Sequence, residues 1–475
     1  MSDPALAPRP SQPPDFEDGL PWPRRFWAIL TVLIAVAMSM LDNSIANVAL
    51  PTIAQSLDAS PAASVWVVNA YQMAIMILLL PLASLGDIHG YRRIYCIGLG
   101  VFTLASLACA STHSLPMLAA ARALQGAGGA GLMSVNAALI RAIYPRASLG
   151  RGLGINAFVI AASSAAGPTV AGAVLAVARW EWLFLINVPL GLLALGLALR
   201  TLPANRPSPH RFDALSAVLN AFTFGLLITG IDGFGHQESF KYIAIQLALA
   251  AAFGTVFVWR QTLIPFPMLP VELFRRPIFA LSVGTSICSF VAQGLALVSL
   301  PFYFERSLGL SQVETGLLMT PWPAAIAIVA PLAGRLSDRY PAGILGAIGL
   351  ATMSVGLALL AFLPTPPSHL DIAWRMTLCG AGFGFFQSPN NRAILANTPR
   401  ERSGGAGAII STARLLGQTT GTALVALIFG LAAASTELAL SSQSIAILLA
   451  AGFAAGAAIV SSLRLMGFER PAPPV

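Results

Sequence analysis

Fourteen apolar stretches of about 20 residues follow one another along this chain of 475 residues, and no other feature restricts its fold as strongly. A helix of that length crosses a hydrocarbon core about 30 Å thick. The stretches are 27–50, 64–85, 94–112, 115–142, 150–178, 181–201, 213–233, 241–260, 278–303, 314–335, 343–363, 371–396, 404–432 and 440–464. Charged residues make up only 10% of the sequence, against about 25% in soluble proteins. The pattern excludes a soluble enzyme and predicts an all-α polytopic membrane protein with fourteen transmembrane helices.

The basic residues predict how these helices are oriented. Cytoplasmic loops of membrane proteins carry an excess of Lys and Arg. If the N-terminus is cytoplasmic, the outer loops hold only Arg179, Lys241, Arg306 and Arg375. With fourteen helices, both termini are then cytoplasmic. A count of thirteen would move many arginines to the outer loops and destroy the asymmetric distribution of basic residues. The net charge of +8 forms no cluster typical of nucleic-acid binding, so the expected partner is the lipid bilayer and not a nucleic acid.

Short sequences recur at a separation of about 250 residues, which indicates an internal duplication. PLASLGD at 81–87 is repeated as PLAGRLSD at 331–338, and LQGAG at 124–128 as LCGAG at 378–382. Such duplication is typical of secondary transporters, whose substrate site lies between the halves near the midplane. The predicted organisation is a disordered tail (1–23), an N-terminal six-helix bundle (24–201), a two-helix insert with flanking loops (202–277), a C-terminal six-helix bundle (278–465) and a C-terminal tail (466–475).

The loop after the second stretch combines a carboxylate, a glycine turn and two arginines in the sequence GDIHGYRR (86–93). It resembles the loop motif of the major facilitator superfamily, G-x-L-a-D-r-x-G-r-k, with Ala83 in place of the first glycine and Ile88 in place of an arginine. The second copy has Pro341 where a glycine belongs. The resemblance implies a gating loop, and the alternative is a set of ordinary solvated loop charges. The residues concerned are Asp87, Gly90, Arg92, Asp338 and Arg339.

The first stretch contains an acidic residue, Asp42, well away from its ends. A charge at that depth costs about 2.5–3.5 kcal/mol on insertion scales, so it calls for a function or a partner. Residues 41–53, LDNSIANVALPTI, resemble the first-helix signature of the fourteen-helix drug–proton antiporters, the multidrug exporters of the EmrB/QacA type. The resemblance implies that Asp42 is a reversible proton carrier facing the cavity. The alternative is a carboxylate bonded locally to Ser39 or Asn43.

The fourth stretch contains a second charge that is expensive to bury, Arg122, in the sequence RALQGAGGAG (122–131). This sequence resembles the R-x-x-Q-G motif of the superfamily. Counting about 1.5 Å per residue places Asp42 and Arg122 at similar depths, so we expect them to pair directly, through water or through Gln125. The same residues satisfy G-x-G-x-x-G, but no strand precedes them, so we interpret the glycines as helix-packing positions and not as a nucleotide-binding loop.

The fifth stretch contains SSAAGPTVAGAVL (163–175), which resembles the antiporter motif found in exporters of the superfamily, G-x-x-x-G-P-x-x-G-G. Gly167, Pro168 and Gly172 match it, whereas Ser163 replaces the first glycine. Proline removes a backbone hydrogen bond and bends the helix, and glycines allow a neighbouring helix to pack against the bend. The resemblance therefore favours export, and the alternative is an ordinary kinked membrane helix.

Further polar residues in apolar stretches are candidates for the substrate cavity. Arg414 lies near the midplane in ARLLGQTTGTAL, which resembles another pattern of the family. For the polar residues of FFQSPNNRA (385–393), the sequence leaves cavity-lining and helix-capping roles open. The full set of cavity candidates is Asn43, Gln125, Asn156, Gln387, Asn390, Asn391 and Arg414.

Taken together, the residues and the resemblance imply a proton-coupled exporter of small amphipathic drugs in a bacterial cytoplasmic membrane, working by alternating access. The four cysteines lack metal-binding spacing and no Walker A lysine motif is present, so we expect no metal, no cofactor and no direct use of ATP. A dedicated exporter of one endogenous metabolite and a non-transporting sensor are the alternatives. EmrB-type proteins work with a periplasmic adaptor protein and QacA-type proteins do not, and the sequence leaves both open.

Overall fold

The computed structural model describes residues 19–145, 148–204, 212–235, 239–264, 267–337, 339–364, 367–398, 403–434 and 441–465. Fourteen long helices are present within these residues, numbered here in chain order, and several of them contain a one-residue break. They are α1 (Arg24–Ser56), α2 (Pro61–His89), α3 (Tyr91–Ala110), α4 (Leu115–Ile143), α5 (Leu149–Val177), α6 (Trp182–Thr201), α7 (Ala214–Gly235), α8 (Phe240–Gln261), α9 (Pro277–Phe302), α10 (Gln312–Leu336), α11 (Ala342–Ala361), α12 (His369–Ala396), α13 (Ser403–Ala434) and α14 (Ser442–Leu463).

This architecture confirms the predicted all-α membrane fold. Thirteen of the helices are long and apolar enough to cross a membrane, and the described residues contain no strand. The remaining helix, α12, is long enough at 28 residues but contains Asp371, Arg375 and Arg392. It packs along α10 and α11, and most of its side chains are buried or half-buried within the protein. The three charged residues lie in the first two and the last two turns of the helix, and Asp371 and Arg375 form an ion pair at 3.1 Å, so the lower hydropathy is compatible with a membrane-spanning helix.

Close approach between helices depends on the glycines of α4. A Cβ atom on Gly126 would lie 2.3 Å from the carbonyl oxygen of Tyr71 in α2, and one on Gly128 would lie 2.4 Å from the backbone nitrogen of Phe102 in α3. Real Cβ contacts are never that short, so only glycine permits this packing. The structure confirms that the G-x-G-x-x-G sequence is a helix-packing element.

Contacts between the two predicted halves are concentrated at one end of the molecule. The largest hydrophobic cluster includes residues 45–54 of α1, 290–304 of α9 and 425–429 of α13. These segments lie at the helix ends opposite the arginine-rich loops. Near those loops, α9 and α13 form a separate cluster around Phe279 and Ile409. We call the end joined by the large cluster the outer seam, and the molecule is closed there.

Polar contacts attach the two-helix insert to α2 and join its helices to each other. The Trp66 indole of α2 donates a hydrogen bond to Asp232 of α7 at 2.8 Å. Within the insert, Arg260 of α8 pairs with Asp213 at 2.9 Å, and Asp213 also accepts a hydrogen bond from Ser216 at 2.6 Å. Helix α7 packs against both α2 and α13, so the insert lies alongside the two halves.

Replacing Asp213 with asparagine should weaken the insert in a pH-dependent way. Burial alone would raise the pKa of Asp213, but the hydrogen bonds from Arg260 and Ser216 outweigh burial and lower it. A carboxyl with a lowered folded-state pKa stabilises the protein above its unfolded-state pKa, and this stabilisation is lost as the pH falls through the folded-state pKa. We expect a thermal destabilisation of about 0.5–1 kcal/mol at pH 7 that shrinks below about pH 4. An equal difference at every pH in detergent melts would contradict this explanation.

Candidate functional site

The centre of the site is a buried ion pair between α1 and α4. Arg122 donates a short hydrogen bond to the Oδ2 atom of Asp42, and both side chains are at most 1% exposed. Gln125 and Asn187 donate to the Oδ1 atom of Asp42 at 2.8 and 2.9 Å. Asp42 therefore accepts three hydrogen bonds from α4 and α6, as a buried carboxylate requires.

Arg122 is held from several sides. Its Nε atom donates to the carbonyl oxygen of Val67 in α2 at 2.9 Å, and Nη1 also donates to Gln125 at 2.6 Å. The guanidinium carbon lies 4.2 Å from the ring centre of Tyr71 and 5.5 Å from that of Phe184. Arginine over an aromatic face gains cation–π attraction. The pair thus couples four helices, α1, α2, α4 and α6.

The arrangement agrees with the expected pairing of Asp42 and Arg122 but differs from the sequence expectation in one respect. Asp42 is only 2% exposed and faces the interior of its own helix group, not an open cavity. The alternative of local bonding is not observed, because Ser39 bonds to Tyr71 at 3.0 Å. The sequence analysis missed Asn187, whose only signal is an amide within an apolar stretch 145 residues away from Asp42.

Polar residues connect the halves near the middle of the membrane. Asn43 accepts a hydrogen bond from Gln72 at 3.5 Å, and Thr419 of α13 donates to Gln72 at 3.4 Å. Two glutamines also meet there, since Gln418 donates to Gln293 of α9 at 3.1 Å. Asn43 thus belongs to an amide network beside the ion pair, and this network reaches from α1 through α2 to α13.

The remaining cavity candidates fall into three groups. Asn156 is 8% exposed and accepts a hydrogen bond from Asn136 at 3.3 Å. Gln387 and Asn391 are half-buried on α12. Arg414 is half-buried on α13. The roles proposed for these four residues in the substrate path stay predictions.

Asn390 occupies a different place from the expected one. It is completely buried, donates to Ser286 at 2.8 Å and accepts a hydrogen bond from Arg464 at 2.9 Å. Arg464, also completely buried, further donates to Ser282 and Ser461. Asn390 therefore joins α9, α12 and the end of α14 and does not line a cavity. In the sequence, Arg464 is the last residue of the apolar stretch 440–464, and nothing local shows that its side chain folds back into the bundle.

The antiporter-like sequence of α5 lies at the outer seam. A Cβ atom on Gly167 would lie 2.4 Å from Ser44 of α1, and one on Gly172 would lie 3.3 Å from Val313 of α10. Thr169 and Thr320 of α10 share a hydrogen bond of 2.6 Å. The helix remains continuous through Pro168. The matched residues thus pack α5 against its own half on one side and against the other half on the other.

The outer seam also contains a polar cavity of about 690 Å³ between α1, α5, α9 and α10. Gln55, Glu305, Arg306 and Gln312 are among the residues that line it. The Oε1 atom of Glu305 is buried and forms no hydrogen bond with the described residues. Because Glu305 lies at the end of an apolar stretch, the sequence analysis did not select it.

The loop between α2 and α3 is built around Gly90, which ends α2 with a φ of +102°, a conformation that favours glycine. Asp87 is exposed and accepts a hydrogen bond from Tyr91 at 2.7 Å. Arg92 donates to the carbonyl oxygen of Leu199 in α6. Arg339 is exposed, and Asp338 lies outside the described residues, so the relation between the two predicted gating loops stays a prediction.

Comparison with known proteins identifies the family. The family model of the Major Facilitator Superfamily matches residues 32–422, which is most of the chain. The chain belongs to this superfamily. Its homologues are transporters and not enzymes, and several are multidrug or drug-resistance exporters, as expected for the drug–proton antiporter branch.

Several members of the superfamily are similar to this chain over most of its length. An uncharacterized transporter of Escherichia coli, YebQ, is 57% identical over 450 residues, which cover 94% of this chain and 97% of YebQ. The multidrug resistance protein Stp of Mycobacterium tuberculosis is 33% identical, with 83% of this chain and 75% of Stp covered. The crystal structure of a bacterial homologue of the human lysosomal transporter Spinster superposes with a TM-score of 0.67 at 16% identity, covering 96% of this chain and 100% of that one.

Proposed function

We propose that this Major Facilitator Superfamily protein exports small amphipathic molecules across the bacterial cytoplasmic membrane in exchange for protons. The proton gradient supplies the energy, without a cofactor. The observation that carries the proposal is the buried Asp42–Arg122 pair, which joins four helices deep in the membrane. An ionisable pair at such a place is expensive and is typical of proton-coupling sites in transporters.

Protonation of Asp42 would change the packing of these helices. The neutral carboxyl loses its attraction for Arg122, whose remaining partners are Val67, Gln125 and two aromatic rings. The amide network next to the pair contacts α13 of the other half through Thr419. A change of charge on Asp42 therefore has a physical route to the contacts between the halves, which alternating access must break and re-form.

The direction of transport rests on two supports. The first is the antiporter-like sequence of α5, whose small residues form the outer seam. The second is the similarity to relatives such as Stp, a multidrug resistance protein. YebQ is named only as a transporter and does not indicate a substrate. The alternative, a dedicated exporter for one metabolite, is therefore distinguished from a multidrug exporter by measuring the range of transported substrates.

The proposal is tested by expressing the protein in a bacterium that lacks its major drug pumps. A panel of anionic, neutral and cationic amphipathic dyes is loaded, and efflux is followed with and without a protonophore. We expect efflux of several dyes, and we expect the protonophore to reduce it to the rate of cells that do not express the protein. Efflux that survives the protonophore would contradict proton coupling, and efflux of none of the dyes would favour a dedicated exporter or a sensor.

Reconstitution into proteoliposomes then tests the need for an adaptor protein. Purified protein that transports dye and protons alone works without an adaptor. Activity that appears only in cells with an intact cell envelope would indicate an adaptor of the EmrB kind.

A further inference from the structure

The charged side chains near the centre of the membrane differ in how accessible they are. Asp42 and Arg122 neutralise each other, and both are completely enclosed. Arg414 of α13 is a third charge in this region among the described residues; it is only half-buried, and none of its nitrogen atoms is fully enclosed without a partner. The accessible charge of the central region is therefore positive.

Arg414 lies about 12 Å along α13 from Ala406, where the apolar span begins. The neighbouring residues show which region it faces. Leu415 packs with Tyr71 in the hydrophobic cluster of the N-terminal half, and Gln418, one turn further along α13, bonds to Gln293 of α9. Because Arg414 directly precedes Leu415 on α13, it lies close to this contact and therefore to the ion-pair region. Arg414 thus lies where the two halves meet.

No acidic side chain compensates Arg414 within the described part of the chain. Its side chain forms no ion pair and no hydrogen bond there. The carboxylate of Asp42 is occupied by Arg122, Gln125 and Asn187. Arginine is also the residue that binds carboxylate and related planar anions with two parallel hydrogen bonds.

The arginine-rich end of the molecule strengthens the same preference. Exposed arginines surround the inner ends of the helices, among them Arg141, Arg151, Arg275, Arg335 and Arg392, whereas the described acidic residues at this end are Asp87, Asp213 and Glu272. Because Asp213 is paired with Arg260, it contributes little negative potential. A positive rim raises the local concentration of anions at an entrance.

We propose, on the basis of the exporter function above, that the substrates are amphipathic anions and that Arg414 binds their charged group. A carboxylate, sulfonate or phenolate on an apolar body has the chemistry that fits. The anionic group would bond to the guanidinium of Arg414, and the apolar body would lie against the hydrophobic walls of the helices. Amphipathic cations are disfavoured at this level, because Asp42, the acidic side chain nearest to Arg414 among the described residues of the central region, is enclosed by Arg122, Gln125 and Asn187.

The test compares two probes with the same apolar body, pyrenebutyrate and pyrenebutyl-trimethylammonium, in proteoliposomes with an imposed pH gradient. The membrane potential is clamped at zero with valinomycin and equal potassium concentrations, so that it favours neither charge. We expect the wild type to transport the anion at least about tenfold faster than the cation. Arg414→Gln should lower anion transport by at least about tenfold, the factor equivalent to about 1.4 kcal/mol, while Arg414→Lys retains most of it.

Arg179→Gln, at an exposed position just before α6 and at the end of the molecule opposite the arginine-rich rim, is the matched control and should transport the anion at the wild-type rate. Arg414→Glu should reverse the preference between the probes. Unchanged anion transport by Arg414→Gln, or wild-type preference for the cation, would overturn this inference and leave the exporter function standing. Absence of transport of both probes and of every dye in the panel would instead overturn the proposed function itself.

Discussion

Asp42→Asn is expected to abolish proton-coupled efflux while the protein remains inserted in the membrane. Asparagine has the same shape, and its side-chain oxygen can still accept the hydrogen bonds of Gln125 and Asn187. It cannot bind or release a proton, so the cycle loses its coupling. We expect substrate-induced proton release in proteoliposomes to fall at least about a hundredfold, within the range found when one proton-transfer group is removed.

Two variants separate this loss from a loss of structure. Asp42→Asn leaves Arg122 buried without its counter-ion, which costs about 3–5 kcal/mol in buried pairs. The neutral double variant Asp42→Asn/Arg122→Gln should recover thermal stability but not proton coupling. Asp58→Asn, an exposed site with a φ of +49° that asparagine tolerates, is the conservative control. Wild-type proton release by Asp42→Asn would show that the carrier is elsewhere and that Asp42 is structural.

Gly316→Val should block transport by holding the outer seam open. A Cβ atom at Gly316 of α10 would lie 2.4 Å from the carbonyl oxygen of Pro168 in α5 and 3.1 Å from Gly172. Backbone atoms of the opposite half cannot move aside without separating the helices. The variant can therefore not reach the closed seam of this structure, and we expect dye efflux to fall at least about tenfold because the state with a closed seam is disfavoured.

The control is Gly284→Val in α9, because a Cβ atom there meets no other atom within 4 Å. It should transport at the wild-type rate and be present at the same level. A cysteine placed at Gln55, on the wall of the outer cavity, should react faster with an impermeant thiol reagent in Gly316→Val than in the wild-type background. Equal labelling and normal efflux would show that the seam tolerates the larger side chain.

The positions of the helices could be predicted closely from the sequence. All fourteen apolar stretches correspond to helices of the structure, including α12, whose hydropathy is lower than that of the others. Prediction succeeds here because membrane insertion depends on a local property. Each segment must bury its own backbone polar groups in a helix and present enough apolar surface to lipid, whatever its neighbours are.

The candidate site was predictable only in part. The pairing of Asp42 with Arg122 followed from their similar depths and from the free energy that it costs to bury an unpaired charge in the membrane, since each charge needs a partner. The orientation of the pair did not follow, because a helix face cannot be assigned to a cavity or to a neighbouring helix from depth alone. Asn390 shows the same limit, since its amide was equally compatible with a cavity wall, a cap or the core position that it occupies.

The membrane fold, the number of helices and the two central charges could thus be read from local sequence, because hydropathy and the energetic cost of a charge are properties of single residues and short segments. The accessibility of each charge depends on the folded arrangement. Asn187 comes to Asp42 from 145 residues away, and Arg464 folds back into the C-terminal bundle. The enclosure of Asp42 and the partial burial of Arg414 depend on how several helices pack around each side chain. Such packing is a sum of distant contacts, and no local sequence pattern specifies it.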